Sequence, residues 1–151
     1  MPPAVPARIG PPASLQESVF VEMARTTDWL SRGPACLLKD EELSPAQYNV
    51  LRILRGAPDG LLCGDIAERM ITRDPDITRL LGRMEKRGLV ARNRPDCDRR
   101  RVLVRISADG LALLARLDGP VQRIHRRQLG HLARRRLEML CSLLIACRGK
   151  D

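Results

Sequence analysis

Thr78, Arg79 and Arg83 share the polar face of a short amphipathic stretch, and Arg94, Arg99, Arg100 and Arg101 crowd a polar run just beyond it. A guanidinium group binds phosphate, or both major-groove acceptors of a guanine, and a threonine offers a hydroxyl to phosphate or a methyl to thymine. Asp76, at the head of the stretch, has two equal uses. It can accept from a cytosine amine, or it can simply favour the positive end of a helix. Asp98 stands two residues before Arg100 and is placed to orient that side chain through a salt bridge. Together these residues suit contact with a duplex polyanion, and none of them needs to make or break a bond.

Such groups work only if neighbouring elements aim them. Ile77, Leu80, Leu81 and Met84 recur at helical spacing and form the inward face of the same stretch. Asp74 reads as its N-cap, Pro75 as its first residue, and Gly88 as its left-handed C-terminal stop. A short helix from Gly64 to Met70 precedes it, with Ile66, Ala67 and Met70 inward. Two short helices joined by a tight turn, the second with a polar outer face, make a helix-turn-helix. The period then changes to that of strands at Leu89–Arg92 and Val102–Ile106, which frame the polar tip from Asn93 to Arg101. This hairpin reads as a basic wing whose arginines suit a narrow minor groove.

The flanks are helical. Residues 1–14 hold five of the eleven prolines and form an extended, mobile arm. Leu15, Val19, Met23, Thr26 and Leu30 then mark a helix that should end near Gly33-Pro34. Ser44, Pro45 and Gln47 give the next helix a capping box, and Gly56 to Gly60 make the turn that stops it. Ser107 caps a long helix that should kink at Gly119-Pro120, with Leu111, Leu114, Val121, Ile124 and Leu132 inward. A last helix carries an apolar stripe of Leu137, Leu140, Cys141, Leu144 and Ile145. The expected organisation is therefore an arm (1–14), an N-terminal dimerisation helix and connection (15–42), a winged helix-turn-helix (43–106) and C-terminal dimerisation helices (107–151). The fold class is mainly α with a small β-hairpin wing.

Other chemistries lack their residues. The five cysteines form no C-x-x-C pair, and His125 and His131 fall on different helix faces, so neither a disulfide framework nor a metal site is expected. No phosphate-binding glycine loop, nucleophile elbow or zinc-protease motif occurs, so no cofactor and no catalytic residue is assigned. Asp40-Glu41-Glu42 stands before a helix cap and reads as structural. Apolar runs are too short for a membrane span, and no signal peptide is visible, so the cytoplasm, on the nucleoid, is the expected location.

The 151 residues make one domain, and with three aromatics the core must be aliphatic, which favours helices. The net charge of +9 is concentrated. Residues 83–105 carry nine basic and three acidic groups, and residues 121–136 carry six and none. A localised basic block marks a polyanion partner. The first block coincides with the wing. The second reads as a solvated face, with attraction of an anionic effector or of further DNA phosphates as its functional alternative.

At these residues the chain resembles the MarR family of bacterial winged-helix regulators. Leu43-Ser44-Pro45-Ala46-Gln47-Tyr48 is similar to the family's LTxxQY start, and Asp65 to Met70 to its ELAERL helix. Ile77 to Leu81 and Met84 to Val90 resemble its VTRLVDRLEKRGLV segment, and Asp98-Arg99-Arg100 with Val102 to Gly110 its DRRxxxVxLTxxG wing. Gly82 stands where the family has Asp. The resemblance implies a homodimer built by interlocking terminal helices, bound to a palindromic operator in double-stranded DNA. It implies that Arg100 reaches the minor groove, and that a small anionic aromatic or phenolic effector releases a repressor. Cys36 lies too close to Leu43 to match the family's peroxide-sensing cysteine, while Cys97 sits at the wing tip, where oxidation would obstruct DNA. The alternatives are an RNA-binding or protein-interaction winged helix without an operator. RNA is disfavoured because base stacking needs aromatic platforms, and none lies near the basic blocks.

Overall fold

The computed structural model describes residues 13–93 and 101–149. The chain runs α1 (Leu15–Asp40), α2 (Pro45–Arg55), β1 (Leu61–Leu62), α3 (Cys63–Arg69), α4 (Ile77–Lys86), β2 (Val90–Asn93), β3 (Leu103–Ile106), α5 (Ala108–Leu129) and α6 (Arg134–Cys147). This is the mainly helical fold with a small sheet that the periodicities predict.

Capping side chains fix most helix starts. Ser44 Oγ accepts from Gln47 N at 3.1 Å while Gln47 Oε1 accepts from Ser44 N at 3.0 Å, the reciprocal capping box. Ser107 Oγ accepts from Gly110 N at 3.0 Å and opens α5. The α4 C-terminus is a Schellman turn. Gly88 adopts φ +72°, its N–H reaches Glu85 O at 2.8 Å, and Leu89 N reaches Met84 O at 3.0 Å.

Helix boundaries differ from expectation at α1, at α4 and at the end of α5. The first helix does not end near Gly33-Pro34 but continues to Asp40 with Pro34 inside it. Proline removes the N–H that would bond Leu30 O. Gln128 Nε2 on α5 supplies a donor to that carbonyl at 3.0 Å, so the lost bond is replaced from outside the helix. Gly33 makes the approach possible: a Cβ there would stand 2.8 Å from Ile124 Cγ2. The second difference is at α4, where Asp76, not Asp74, is the N-cap. Its carboxylate accepts from Arg79 N at 3.0 Å. Asp74 Oδ1 instead accepts from Asp76 N at 2.8 Å, an Asx turn that holds Pro75 outside the helix.

The core is aliphatic and lies where α2, α3, α4 and the front half of α5 meet. Val50, Leu51, Leu54, Ile66, Leu81, Met84, Val104 and Leu114 are fully buried. On α5 the inward face is Gly110, Leu113, Leu114, Leu117 and Val121. Leu111, expected inward, is 43% exposed, because the periodic run starts one position earlier on the helix, at Gly110. A Cβ on Gly110 would overlap Leu89 O, so α5 begins in direct backbone contact with the end of α4. Helix α5 runs through Pro120 as one continuous element and stops at Gly130, so Leu132, expected on its inward face, lies past its end in the turn to α6.

The sheet has three antiparallel strands in the order β1-β3-β2. Val90 pairs with Ile106 and Asn93 with Leu103, the hairpin that the periodicity predicts. Strand β1 has no sequence signal of its own. It pairs Leu61 with Val104 and Leu62 with Leu103, far along the chain, and two residues have no readable period.

The terminal helices are different. Leu15, Val19, Phe20 and Trp29 on α1, and Met139, Leu140, Leu143 and Ile145 on α6, are exposed. No α6 residue is buried. An amphipathic helix whose apolar face meets little of its own chain needs another surface to cover it.

Candidate nucleic-acid interface

Helix α4 is held by its back. Leu80, Leu81 and Met84 are buried, Ile77 is half-buried, and this leaves Asp76, Thr78, Arg79, Arg83 and Lys86 exposed on the outer side. Ten residues make a rod about 15 Å long, a fit for the major groove of B-DNA. Thr78, Arg79 and Arg83 are therefore brought together on one exposed face. Asp76 is engaged as the N-cap, which favours its structural reading over base contact.

The turn before α4 is anchored from α2, where Asn49 Oδ1 accepts from Ile71 N at 2.8 Å. Two further ties hold the frame. Arg87 at the C-cap of α4 donates to Glu41 O at 3.1 Å and to Glu42 O at 2.5 Å. The acidic run Asp40–Glu42 thus serves structurally, through its backbone, where Glu42 adopts φ +52° and turns the chain from α1 into α2, and through the Glu41 carboxylate, which meets Arg116 on α5 at 3.3 Å. Ser107 Oγ donates to Gly88 O at 2.5 Å and locks the start of α5 on the stop of α4.

The wing is tied to α4 by a contact that sequence reading missed. Arg92 on β2 pairs with Glu85 on α4, Nε to Oε2 at 2.7 Å and the second guanidinium nitrogen at 2.5 Å. The Arg92 hydrogen bond holds the Glu85 carboxyl below the usual carboxylate range. The seven-residue separation crosses a helix stop, so no periodic pattern announces it. Arg101, at the far root of the hairpin, is exposed. Arg94, Asp98, Arg99 and Arg100, with Cys97, lie outside the described residues, as do residues 1–12 of the N-terminal arm.

A second unforeseen pair joins the winged helix to the long helix. Arg55 on α2 meets Asp118 on α5 at 2.7 Å. This hydrogen bond holds the Asp118 carboxyl below, and the Arg55 guanidinium above, its ordinary pKa. Among the described residues no group of three or more His, Cys, Asp or Glu side chains could hold a metal, and no helix is long and apolar enough to cross a membrane.

Comparison with known proteins agrees with this geometry. The sequence model of the MarR family matches residues 42–101, the segment from the α2 cap to the wing. The MarR transcription factor from Planctomyces limnophilus is 41% identical, with a TM-score of 0.69, over 87% of this chain and 96% of that one. The transcriptional repressor CouR, solved bound to a 23-mer DNA duplex, is 27% identical with a TM-score of 0.73, over 89% of this chain and 92% of that one. The homoprotocatechuate degradative operon repressor of Escherichia coli is 29% identical over 108 residues, 72% of either chain. The helix-turn-helix, its wing and the sequence they are made from place this chain in the MarR family of winged-helix transcriptional regulators.

Proposed function

We propose that this protein is a homodimeric repressor that occupies a palindromic operator in double-stranded DNA and leaves it when a small anionic aromatic effector binds. It acts by binding and release, not by catalysis. Its place of action is the cytoplasm, on the nucleoid. The observation that carries the reading is the exposed face of α4, where Thr78, Arg79 and Arg83 lie opposite the buried Leu80, Leu81 and Met84. In this reading α4 enters the major groove, and the wing, with Arg94, Asp98, Arg99, Arg100 and Arg101, follows the adjacent minor groove. Two copies joined through α1 and α6 set the two readers about one helical turn, roughly 34 Å, apart. The relatives named a repressor of a degradative operon and a repressor bound to a duplex support the same mode of action.

An effector works on such a dimer by changing the separation of its two reading helices. The junction of α2 with α5, spanned by Arg55 and Asp118, is where the terminal helices meet the winged helix, and a ligand lodged there shifts one against the other.

Binding of the purified protein to the duplex upstream of its own gene, followed by fluorescence anisotropy, tests the reading. A scrambled duplex and a single-stranded RNA are the controls. With roughly 6–10 phosphate contacts, affinity for the operator should fall about 10³–10⁵-fold between 50 and 200 mM salt. Equal, weak binding to all three nucleic acids would overturn it.

A further inference from the structure

The wing accounts for the first basic block but not for the second. Between Val121 and Leu137 the chain has six arginines and no acidic residue. Arg123, Arg126 and Arg127 close α5, and Arg134, Arg135 and Arg136 open α6. All six are exposed. The connection between the helices is tight, with Gly130 N on Arg126 O at 2.7 Å and Leu132 N on Leu129 O at 3.0 Å, so both groups gather at one corner. Among the described residues only Arg134 of the six has an acidic partner, Glu138 on its own helix.

The α6 half of this arrangement works against local stability. Cations at a helix N-terminus oppose the positive end of the macrodipole. Here three arginines fill the first turn of α6, with no acidic residue there and no side-chain bond at its N-cap, Ala133. Arg135 and Arg136 break this rule with no acidic partner among the described residues, which points to a role outside the fold. The block itself holds no exposed large apolar side chain, although it borders the apolar surface of α1 and α6, with Met139 and Leu140 one turn beyond Arg135 and Arg136.

Its position excludes the α4 reading site. α5 begins against Gly88 at the C-terminal end of α4, and Arg123 lies fifteen residues further along, about 22 Å at 1.5 Å per residue. Six arginines with no acidic residue among them fit the phosphates of a duplex, and the block holds no Phe, Tyr or Trp on which unpaired bases would stack.

We propose that the α5–α6 corner is a second, sequence-independent DNA-binding surface, through which an operator-bound dimer holds another duplex segment. The proposal rests on the operator-binding reading, and the test separates the two. Operator duplex is immobilised and saturated with protein, excess protein is washed away, and a labelled duplex of unrelated sequence, about three helical turns long, is added at roughly 50 and 200 mM salt. The wild-type complex should retain the second duplex at the lower salt and release it at the higher. Replacing Arg126, Arg127, Arg135 and Arg136 by Ala should reduce retention at least about tenfold and leave operator affinity unchanged. The four Lys replacements should keep retention, since charge is retained.

Absence of retention on a fully occupied operator overturns the second surface alone. So does equal retention by the Ala variant. A lowered operator affinity in that variant, with a salt slope reduced by about four, shows that the arginines grip the operator duplex itself, and overturns the proposal. Displacement of the second duplex by polyglutamate at lower charge concentration than by competing DNA assigns the corner to an acidic protein instead, and overturns it too. Failure of the wild type to hold the operator overturns the operator reading, and this one with it.

Discussion

Gln128 Nε2 donates to the carbonyl of Leu30, the acceptor that Pro34 leaves without a backbone partner, and the two helices meet there at Gly33. The pair makes a testable double-mutant cycle. Gln128 is 8% exposed, so removing its amide leaves a shielded carbonyl unpaired, and Gln128→Leu should cost about 1–3 kcal/mol. In a Pro34→Ala background residue 34 recovers its own N–H for Leu30 O, and the same substitution should cost about 1 kcal/mol less. Subtracting within the cycle removes the effect of proline on the unfolded chain. Urea titration of the four variants measures the coupling, and a value near zero would mean that the Leu30 carbonyl does not depend on Gln128.

Asp76 separates a structural role from a reading role by one atom. As N-cap it needs only an oxygen acceptor, which Asn also provides. Asp76→Ala should lower stability by about 1 kcal/mol, while Asp76→Asn should leave it near wild type. Asp76→Asn also removes a negative charge beside the groove, so operator affinity should rise through charge alone, without a change of base preference. Anisotropy across single-base operator variants checks this. Relaxed preference at one C·G pair in Asp76→Asn would make the carboxylate a base reader.

The winged helix was legible because its signals are local. Ser44 with Gln47, Gly88 and Ser107 each announce a boundary within four residues, and the inward face Leu80, Leu81, Met84 follows from helical period. What was illegible depends on partners far along the chain. Pro34 ends a helix unless a donor such as Gln128, 94 residues later, replaces the lost bond. Leu61-Leu62 becomes a strand only because Leu103 and Val104 lie alongside. The α4 start is ambiguous in sequence by two residues because Asp74 and Asp76 are both capping types, and only the folded turn assigns Asp74 to the backbone of Asp76. Within the site, Thr78, Arg79 and Arg83 fall on one face as their spacing requires, whereas Glu85 and Arg92 belong to elements of different period.

Gly82 has room for a side chain. A Cβ there would lie 3.8 Å from the Arg92 guanidinium, an ordinary contact. Gly82→Ala should therefore stabilise α4 by up to about 1 kcal/mol, read as a higher urea midpoint. A lower midpoint would show that the backbone at this position must stay free of a side chain for the wing to seat.

Glu85 and Asp118 make the stability of the protein sensitive to acid. Both carboxyls are held below their ordinary values, by Arg92 and Arg55 respectively. A lowered folded-state pKa means that the unfolded chain binds protons first as pH falls. The contribution is present in full above the ordinary carboxylate range and is lost as pH drops through the lowered folded values. Both pairs are partly solvated, so salt screens them and their effect is small. The double variant Glu85→Gln, Asp118→Asn should show a flatter fall of melting midpoint below about pH 5 than the wild type, and the same midpoint trend above it. Identical acid limbs would mean that neither pair contributes.

Leu143 tests how the two reading heads are joined. It is 58% exposed on α6, beside Leu140 and Met139, and α6 buries no residue against its own chain. Full burial of a leucine is worth about 1.5–3 kcal/mol, and a two-fold interface counts each residue twice. Leu143→Asp places a charge in that surface on both copies at once, so sedimentation should move from dimer to monomer. Operator affinity should fall with it, because a single winged helix keeps one half-site and loses the linkage to the other. The secondary structure of residues 43–106 should persist in the monomer, since their core of Leu51, Leu54, Ile66, Leu81 and Met84 is complete without a partner. A variant that remains dimeric with unchanged affinity would place the interface away from this face of α6.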